Sequence, residues 1–183
     1  MHAVTGVVLA GGAGRRFGGP KALARAADGT PWLARAVRAL AGGGVADVVV
    51  ALGARADDAR ALVPRGARVV HAADWERGVS ATLRAALAAA GGSVLVIPVD
   101  TPDLPAAAVA RILAAAEGPD ALVQATYGGR PGHPVLIGSA HVAPLAAQLA
   151  GDRGARSYLA SHGVREIPCD DLFSGEDIDT PRP

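Results

Sequence analysis

Val4-Thr5-Gly6-Val7-Val8-Leu9-Ala10 runs straight into Gly11-Gly12-Ala13-Gly14-Arg15-Arg16-Phe17-Gly18-Gly19-Pro20-Lys21. The first seven residues are a β-branched, nearly continuous apolar run, the pattern of a strand buried on both faces of a parallel sheet. The segment after it reads differently. From Leu9 to Lys21, five glycines and three cations stand within thirteen residues. Glycine lets a backbone come close to a ligand and turn its N–H groups inward, a geometry that suits phosphate oxygens. Arg and Lys then neutralise an anion that amides alone cannot balance. Two familiar phosphate loops do not fit. A Walker A loop needs Gly-Lys-Ser/Thr, and here Pro20 follows Gly19; a G-x-G-x-x-G dinucleotide fingerprint needs glycine where Phe17 stands. A flexible glycine-rich turn with solvated arginines is the bland alternative, and Arg16 and Lys21 directly after a strand argue against it.

Outward from this stretch the period of the apolar residues switches repeatedly. Asp47–Leu52 (DVVVAL), Ala67–His71 (ARVVH) and Ser93–Val99 (SVLVIPV) are further short apolar runs, each read as a strand. Between them Leu33, Ala36, Val37 and Leu40 keep helical spacing, as do Val79, Leu83, Ala86, Leu87 and Ala90, and then Val109, Ile112, Leu113 and Ala116. Alternating strand and helix predicts parallel βαβ units with right-handed crossovers. The last third departs from that rhythm. Ala121–Thr126 and Pro134–Ile137 read as strands joined by a glycine-rich link, Val142, Leu145, Ala146 and Leu149 as a helix, and Val164–Pro168 as a last strand. The expectation is an α/β fold with a mostly parallel sheet and an antiparallel or mixed edge. Ligands of such sheets sit at the carboxyl ends of strands, just after Ala10, His71 and Val99.

Composition narrows the function classes. The 183 residues carry 18 Lys+Arg against 17 Asp+Glu, a net charge of +1 that gives no general pull toward nucleic acid or a lipid surface. Half the residues are apolar but only 3% aromatic, so Ala, Val and Leu must fill the core. The uncharged stretch Ala85–Val99 is 15 residues long and holds Gly91, Gly92, Ser93 and Pro98; a membrane span needs roughly 18. No Lys or Arg precedes Arg15, which argues against a signal peptide. Cys169 is alone, so an internal disulfide and a multi-cysteine zinc site are excluded, and a cytoplasmic location is expected.

The segment Leu9–Lys21 resembles the L-A-[AG]-G-x-[SG]-x-R-[MF]-G-x-x-K loop of nucleotidyltransferases that activate sugars, isoprenoid precursors and molybdopterin. The resemblance implies a Rossmann-like three-layer αβα fold, a single nucleotidyltransferase domain over residues 1–183, and a loop that wraps a nucleoside triphosphate. Arg16 and Lys21 would contact phosphates, Leu9, Ala10, Gly11 and Gly12 would hold base and ribose, and Gly14 falls in register with the loop glycines. Nucleotidyl transfer brings two polyanions together, and Mg2+ favours one or two carboxylates with phosphate oxygens and water. Asp100 follows the most apolar strand and should face the glycine loop; Asp103, ahead of Leu104-Pro105 and a helical pattern, reads better as a cap.

Other segments resemble the molybdenum cofactor cytidylyltransferase branch and its molybdopterin-guanine dinucleotide synthase relatives. Asp177-Ile178-Asp179-Thr180-Pro181 is similar to that family's D-I-D-T-P, whose second aspartate helps bind metal; this implies Asp179 as the partner of Asp100. Asp74-Trp75-Glu76-Arg77-Gly78-Val79-Ser80-Ala81-Thr82-Leu83 resembles N-x-x-W-x-x-G-x-x-x-S-L, with Asp74 where asparagine is usual, and nominates Asp74 and Ser80 for the nucleotide. A Ser cap and a Trp packed on the sheet explain the same residues. Gly132-His133-Pro134-Val135 and Gly151-Asp152-Arg153-Gly154-Ala155-Arg156 resemble G-H-P-V and G-D-x-G-A-R, nominating His133, Asp152 and Arg156 for the acceptor; a structural loop His and a turn with a surface ion pair are the plainer readings. Cytidine-selecting members read A-A-G where this chain has Ala10-Gly11-Gly12, as guanylyl-transferring relatives do, so CTP and GTP both stand as donors.

The implied activity is Mg2+-dependent transfer of CMP or GMP to molybdopterin cofactor with release of pyrophosphate, with a molybdoenzyme as a further partner and no role for nucleic acid or membrane. Two alternatives remain: another phosphorylated acceptor (a sugar phosphate, isoprenoid precursor or phospholactate), and a non-catalytic nucleotide-binding module that delivers cofactor.

Overall fold

A computed structural model describes residues 3–180. Strand β1 (Val4–Ala10) leads into the glycine loop, and helix α1 (Trp32–Gly42) follows. α1 starts behind Pro31, buries Leu33, Ala36, Val37 and Leu40, and stops in the run Gly42-Gly43-Gly44, where Gly44 takes a φ of +104°. Next come β2 (Asp47–Leu52), α2 (Ala56–Arg60), β3 (Arg68–His71), α3 (Val79–Ala89), β4 (Ser93–Pro98) and α4 (Ala106–Ala114). The remainder is β5 (Leu122–Tyr127), β6 (Arg130–Ile137), α5 (Ser139–Gln148), α6 (Arg156–Ser161) and β7 (Arg165–Pro168). The seven strands form one sheet in the order β3-β2-β1-β4-β6-β5-β7.

The sheet is mostly parallel, as expected. The antiparallel pairing lies in the half supplied by the last third of the chain, where β6 runs against both β4 and β5, while β7 pairs parallel with β5 on the outside. Gly128 and Gly129, with φ of +56° and +70°, turn β5 into β6, so β6 begins at Arg130 rather than Pro134. α2 and α6 escape a search for helical periodicity because they are five and six residues long and bury only two residues each.

Alternation along the strands divides the core into two layers. Val8, Leu95 and Ile97 point to the side covered by α1 and α4, with Leu33, Leu40, Val109 and Ile112. Val7, Val94 and Val96 point to the side covered by α3, α5 and α6, with Leu83, Leu87, Leu145 and Leu159. Both faces are therefore covered, which is why the strands read as continuous apolar runs. Cys169 is buried. None of the helices among the described residues is long and apolar enough to cross a membrane.

The order also fixes where a ligand can sit. β1 is followed in sequence by β2 on one side and has β4 on the other, with Leu9 level with Pro98. Chain direction diverges there, and a crevice opens beyond the carboxyl ends of β1 and β4.

Candidate active site

The glycine loop is a tight curl. The N–H groups of Phe17 and Gly19 both donate to the Gly14 carbonyl, at 3.0 and 3.1 Å. Gly14 has φ +61°, and a Cβ there would stand 1.8 Å from the Gly19 oxygen. Only glycine closes this turn. The Phe17 ring packs on Trp32 of α1, with centroids 5.3 Å apart, and ties the curl to the helical layer.

Lys21 leaves the curl at the start of a single helical turn, Lys21–Leu23, whose Ala22 is buried. Its Nζ donates to Asp100 Oδ2 at 2.9 Å and to Asp179 Oδ1 at 2.7 Å. Asp100 follows β4, as the sequence predicts. Asp179 arrives from a segment with no helix or strand, clamped by the Ile178 N–H donating to the Asp100 carbonyl at 2.9 Å. The Ile178 side chain enters the core beneath α1 and α4. In an extended segment neighbours of a buried residue share the opposite side, so Asp177 and Asp179 both turn to the cleft. Asp100, Asp177 and Asp179 each bring a carboxylate oxygen within 4.8 Å of the others. Arg16, 83% exposed, reaches Asp179 at 3.4 Å.

Burial works against the charge of Lys21, but hydrogen bonds and charge from Asp179 and Asp100 outweigh it and raise its pKa. The Lys21 hydrogen bond and charge, with a smaller contribution from Arg16, hold the Asp179 carboxyl below the usual range. The contact is complete between the ordinary carboxylate and lysine ranges. It is lost only as pH falls through the depressed Asp179 value or rises through the elevated Lys21 value.

These groups line a cleft of about 770 Å³, with Leu9, Ala10, Gly11, Gly12 and Gly14 on its loop side and His133 and Asp152 on the far side. A second cavity of about 250 Å³ shares Leu9, Val79, His133 and Asp152 with the cleft and adds Gln124, Arg153 and Arg156 over an apolar floor. His133 Nδ1 contacts the Val96 carbonyl at 3.3 Å, which assigns the ring proton to Nδ1 and leaves Nε2 as an acceptor. Burial pushes the His133 pKa down, against smaller upward contributions from that hydrogen bond and from Asp100 and Asp177, so the ring is neutral near pH 7. The Gly151–Arg156 loop docks on the start of α3: Gly151 O accepts from the Ser80 N–H at 3.1 Å, and a Cβ on Gly78 would stand 2.2 Å from Asp152 Oδ1.

Asp74 and Ser80 lie outside both linings. Asp74 is exposed and pairs with Arg77 at 3.7 Å, and Ser80 is buried with its Oγ facing no hydrogen-bond partner. In their place Trp75, Glu76 and Thr82 face the cleft. Asp177, Thr82 and Gln124 are residues the sequence reading missed. For Asp177 a signal existed: acid-apolar-acid alternation puts both acids on one side of an extended segment. For Thr82 one existed too: with Trp75 and Gly78 on the tryptophan and glycine of N-x-x-W-x-x-G-x-x-x-S-L, the serine of that pattern falls on Thr82 rather than Ser80, and its asparagine on Ala72 rather than Asp74. For Gln124, inside a strand, no signal existed.

Residues 6–166 match the family model of the MobA-like NTP transferase domain. The chain belongs to the MobA-like NTP transferase family. This MobA-like chain is 34% identical to the molybdenum cofactor guanylyltransferase of Burkholderia vietnamiensis, over 90% of this chain and 85% of that protein. It is 38% identical to the nicotine blue oxidoreductase of Paenarthrobacter nicotinovorans, over 98% of this chain and 94% of that protein. Among solved structures, Rv0371c of Mycobacterium tuberculosis superposes with a TM-score of 0.82 at 29% identity, covering 97% of this chain and 93% of that one. Rv0371c has also been solved in complex with manganese. The MobA-like family places this chain among the nucleotidyltransferases. The matched region includes Asp100 and ends before Asp177 and Asp179.

Proposed function

We propose that this MobA-like chain transfers a nucleoside monophosphate, GMP in preference to CMP, from the triphosphate to the terminal phosphate of a molybdopterin-type acceptor. The observation that carries the reading is the convergence of the glycine curl, Lys21 and three carboxylates at the β1/β4 crevice. Relatives named guanylyltransferases, and Ala10-Gly11-Gly12 in the loop, favour GTP. A molybdoenzyme that receives the product is the partner this reading implies.

The three carboxylates are hard oxygen donors of the kind Mg2+ accepts, so Asp100 and Asp179, with Asp177, would hold it. Bound there, Mg2+ would neutralise phosphate charge. The chain's own residues do the rest. The curl from Gly11 to Gly19 offers close backbone approach, Lys21 and Arg16 supply positive charge, and His133, Asp152 and Arg156 orient the acceptor from the adjoining cavity. An acceptor phosphate oxygen attacks the α-phosphorus, the α–β bridging bond breaks, and pyrophosphate leaves with that electron pair. The nucleophile is already an anion, so no general base is needed, and positioning with charge stabilisation carries the rate. The test is pyrophosphate release from each nucleoside triphosphate with Mg2+ and molybdopterin. Asp100→Asn should lower turnover by about 10³-fold, as loss of a charge-stabilising group does, with the melting temperature held; wild-type turnover in that variant refutes the site.

The 38% identical relative, by name a nicotine blue oxidoreductase, supports a second reading, reduction of such a dye by a separate hydride donor such as a reduced nicotinamide dinucleotide. Loss of absorbance at 340 nm from a reduced nicotinamide dinucleotide in the presence of such a dye, undiminished in Asp100→Asn, would select it. The three-carboxylate cluster favours the transferase.

A further inference from the structure

Lys21 stands where its role as a phosphate ligand does not put it. Its ammonium bridges Asp100 Oδ2 and Asp179 Oδ1, at 2.9 and 2.7 Å, while the remaining Asp179 oxygen faces Arg16. The Lys21 side chain is only 14% exposed and that of Asp100 21%, so their contact is shielded, while Asp179, 43% exposed, meets solvent as well as the ammonium. Three carboxylates with oxygens within 4.8 Å repel one another, and Lys21 is the cation that bridges two of them, Asp100 and Asp179.

We propose that Lys21 is the resident counter-ion of this cluster and must leave it when a divalent cation enters, so that cation and triphosphate bind as a coupled pair. The proposal rests on the metal-assisted reading above and adds an order to it. A divalent cation arriving alone competes with the ammonium for the same two oxygens, and the displaced charge has no new acceptor. A triphosphate arriving alone draws Lys21 away and faces bare carboxylates. Together they exchange partners: the cation takes the carboxylates and the ammonium takes phosphate oxygens. The geometry permits the swap without moving the backbone, because Lys21 O is fixed by the Ala24 N–H at 3.0 Å and the Lys21 amide lies beside the Gly14–Gly19 curl. Only the flexible four-carbon stem has to swing. By linkage, whatever the triphosphate does to cation affinity the cation does equally to triphosphate affinity.

The test counts free Mn2+ by electron paramagnetic resonance, without nucleotide, against wild type, Lys21→Met and Lys21→Gln. Both variants should bind Mn2+ at least about tenfold tighter than wild type, the equivalent of one charge-assisted contact removed. Adding Asp100→Asn to either should abolish the gain. Equal or weaker Mn2+ binding by a variant that melts like wild type overturns the proposal. The lysine ammonium NMR signal of the wild-type protein gives an arm that needs no variant to fold: Mg2+ alone should leave Lys21 in place, and Mg2+ with a non-hydrolysable triphosphate should move it. A signal unmoved by both together also overturns the exchange. If Mn2+ still binds wild type with triphosphate in those cases, the transferase reading stands without Lys21 exchange; if wild type takes up no Mn2+ even then, the metal-assisted reading falls first.

Discussion

Ile178→Ala separates the site from the fold. Ile178 is 9% exposed, sits in the core beneath α1 and α4, and donates its N–H to Asp100 O at 2.9 Å. Its two neighbours bring the carboxylates of Asp177 and Asp179 to the cluster. The substitution removes three carbons from the core, at about 0.8 kcal/mol each, or about 2.4 kcal/mol. At about 1.4 kcal/mol per factor of ten, that moves the ratio of docked to undocked segment by about 50-fold. Affinity for Mn2+ falls by the fraction of molecules left competent, so up to about 50-fold. Were the segment to open only with global unfolding, the same loss would lower the melting temperature by about 5–10 °C in a chain of this size. The segment forms no helix or strand, so local opening is the expectation, with a shift below about 2 °C. Calorimetric melting and Mn2+ titration on the same preparation decide it. Mn2+ affinity within twofold of wild type, or a 5–10 °C drop in melting temperature with affinity intact, refutes the clamp.

Two further outcomes follow from the geometry. Gly14→Ala puts a Cβ 1.8 Å from Gly19 O at a φ of +61°, so the curl must open; triphosphate affinity measured by calorimetry should fall more than tenfold while the melting temperature changes by only a few degrees. His133 is held neutral by burial, so the unfolded chain takes up a proton before the folded one does. Stability should therefore be constant above about pH 6.5 and decline as pH falls below it, and His133→Gln should flatten that slope in urea melts. An unchanged slope would place the titrating group elsewhere.

The fold was legible because its strands are covered on both faces. Val7 and Val8 go to opposite layers and both must be apolar, so the run declares itself without alternation. The switch at β1, with β2 on one side and β4 on the other, follows once parallel crossovers are accepted, and it brings Asp100 to the glycine loop. Less legible were features that depend on the third dimension. β7 beside β5 is set by the return of the chain after α6, which no local pattern encodes. Ser80 carries the residue type of an anion-binding helix start, but its amide is already given to Gly151 O. Asp74 stands one residue outside the face that Trp75 and Glu76 present to the cleft. Asp179 needed a resemblance to be found, and its neighbour Asp177 needed Ile178 to be seen buried.

The choice of base draws on a packing constraint that the loop alone conceals. The loop resemblance implies alanine in place of Gly11 where cytidine is selected. Here a Cβ at position 11 would meet Thr82 Oγ1 at 2.2 Å and Thr82 Cγ2 at 2.8 Å, whereas Gly12 has nothing within 4 Å. Gly11 is thus demanded by a residue on α3, whatever base lies above it. Gly11→Ala alone should overpack the contact, costing about 1–3 kcal/mol, and lower turnover with GTP and CTP alike. Thr82→Ala removes both offending atoms and leaves Cβ at 3.1 Å as the nearest, a gap that a small shift of α3 relieves. The double substitution should regain the stability that Gly11→Ala loses, and the ratio of kcat/KM for CTP to that for GTP in that background isolates the effect of the loop on the base. A ratio that rises only in the double variant makes positions 11 and 82 one specificity element. A Gly11→Ala variant as stable as wild type would show that the Gly11–Thr82 contact does not constrain the loop.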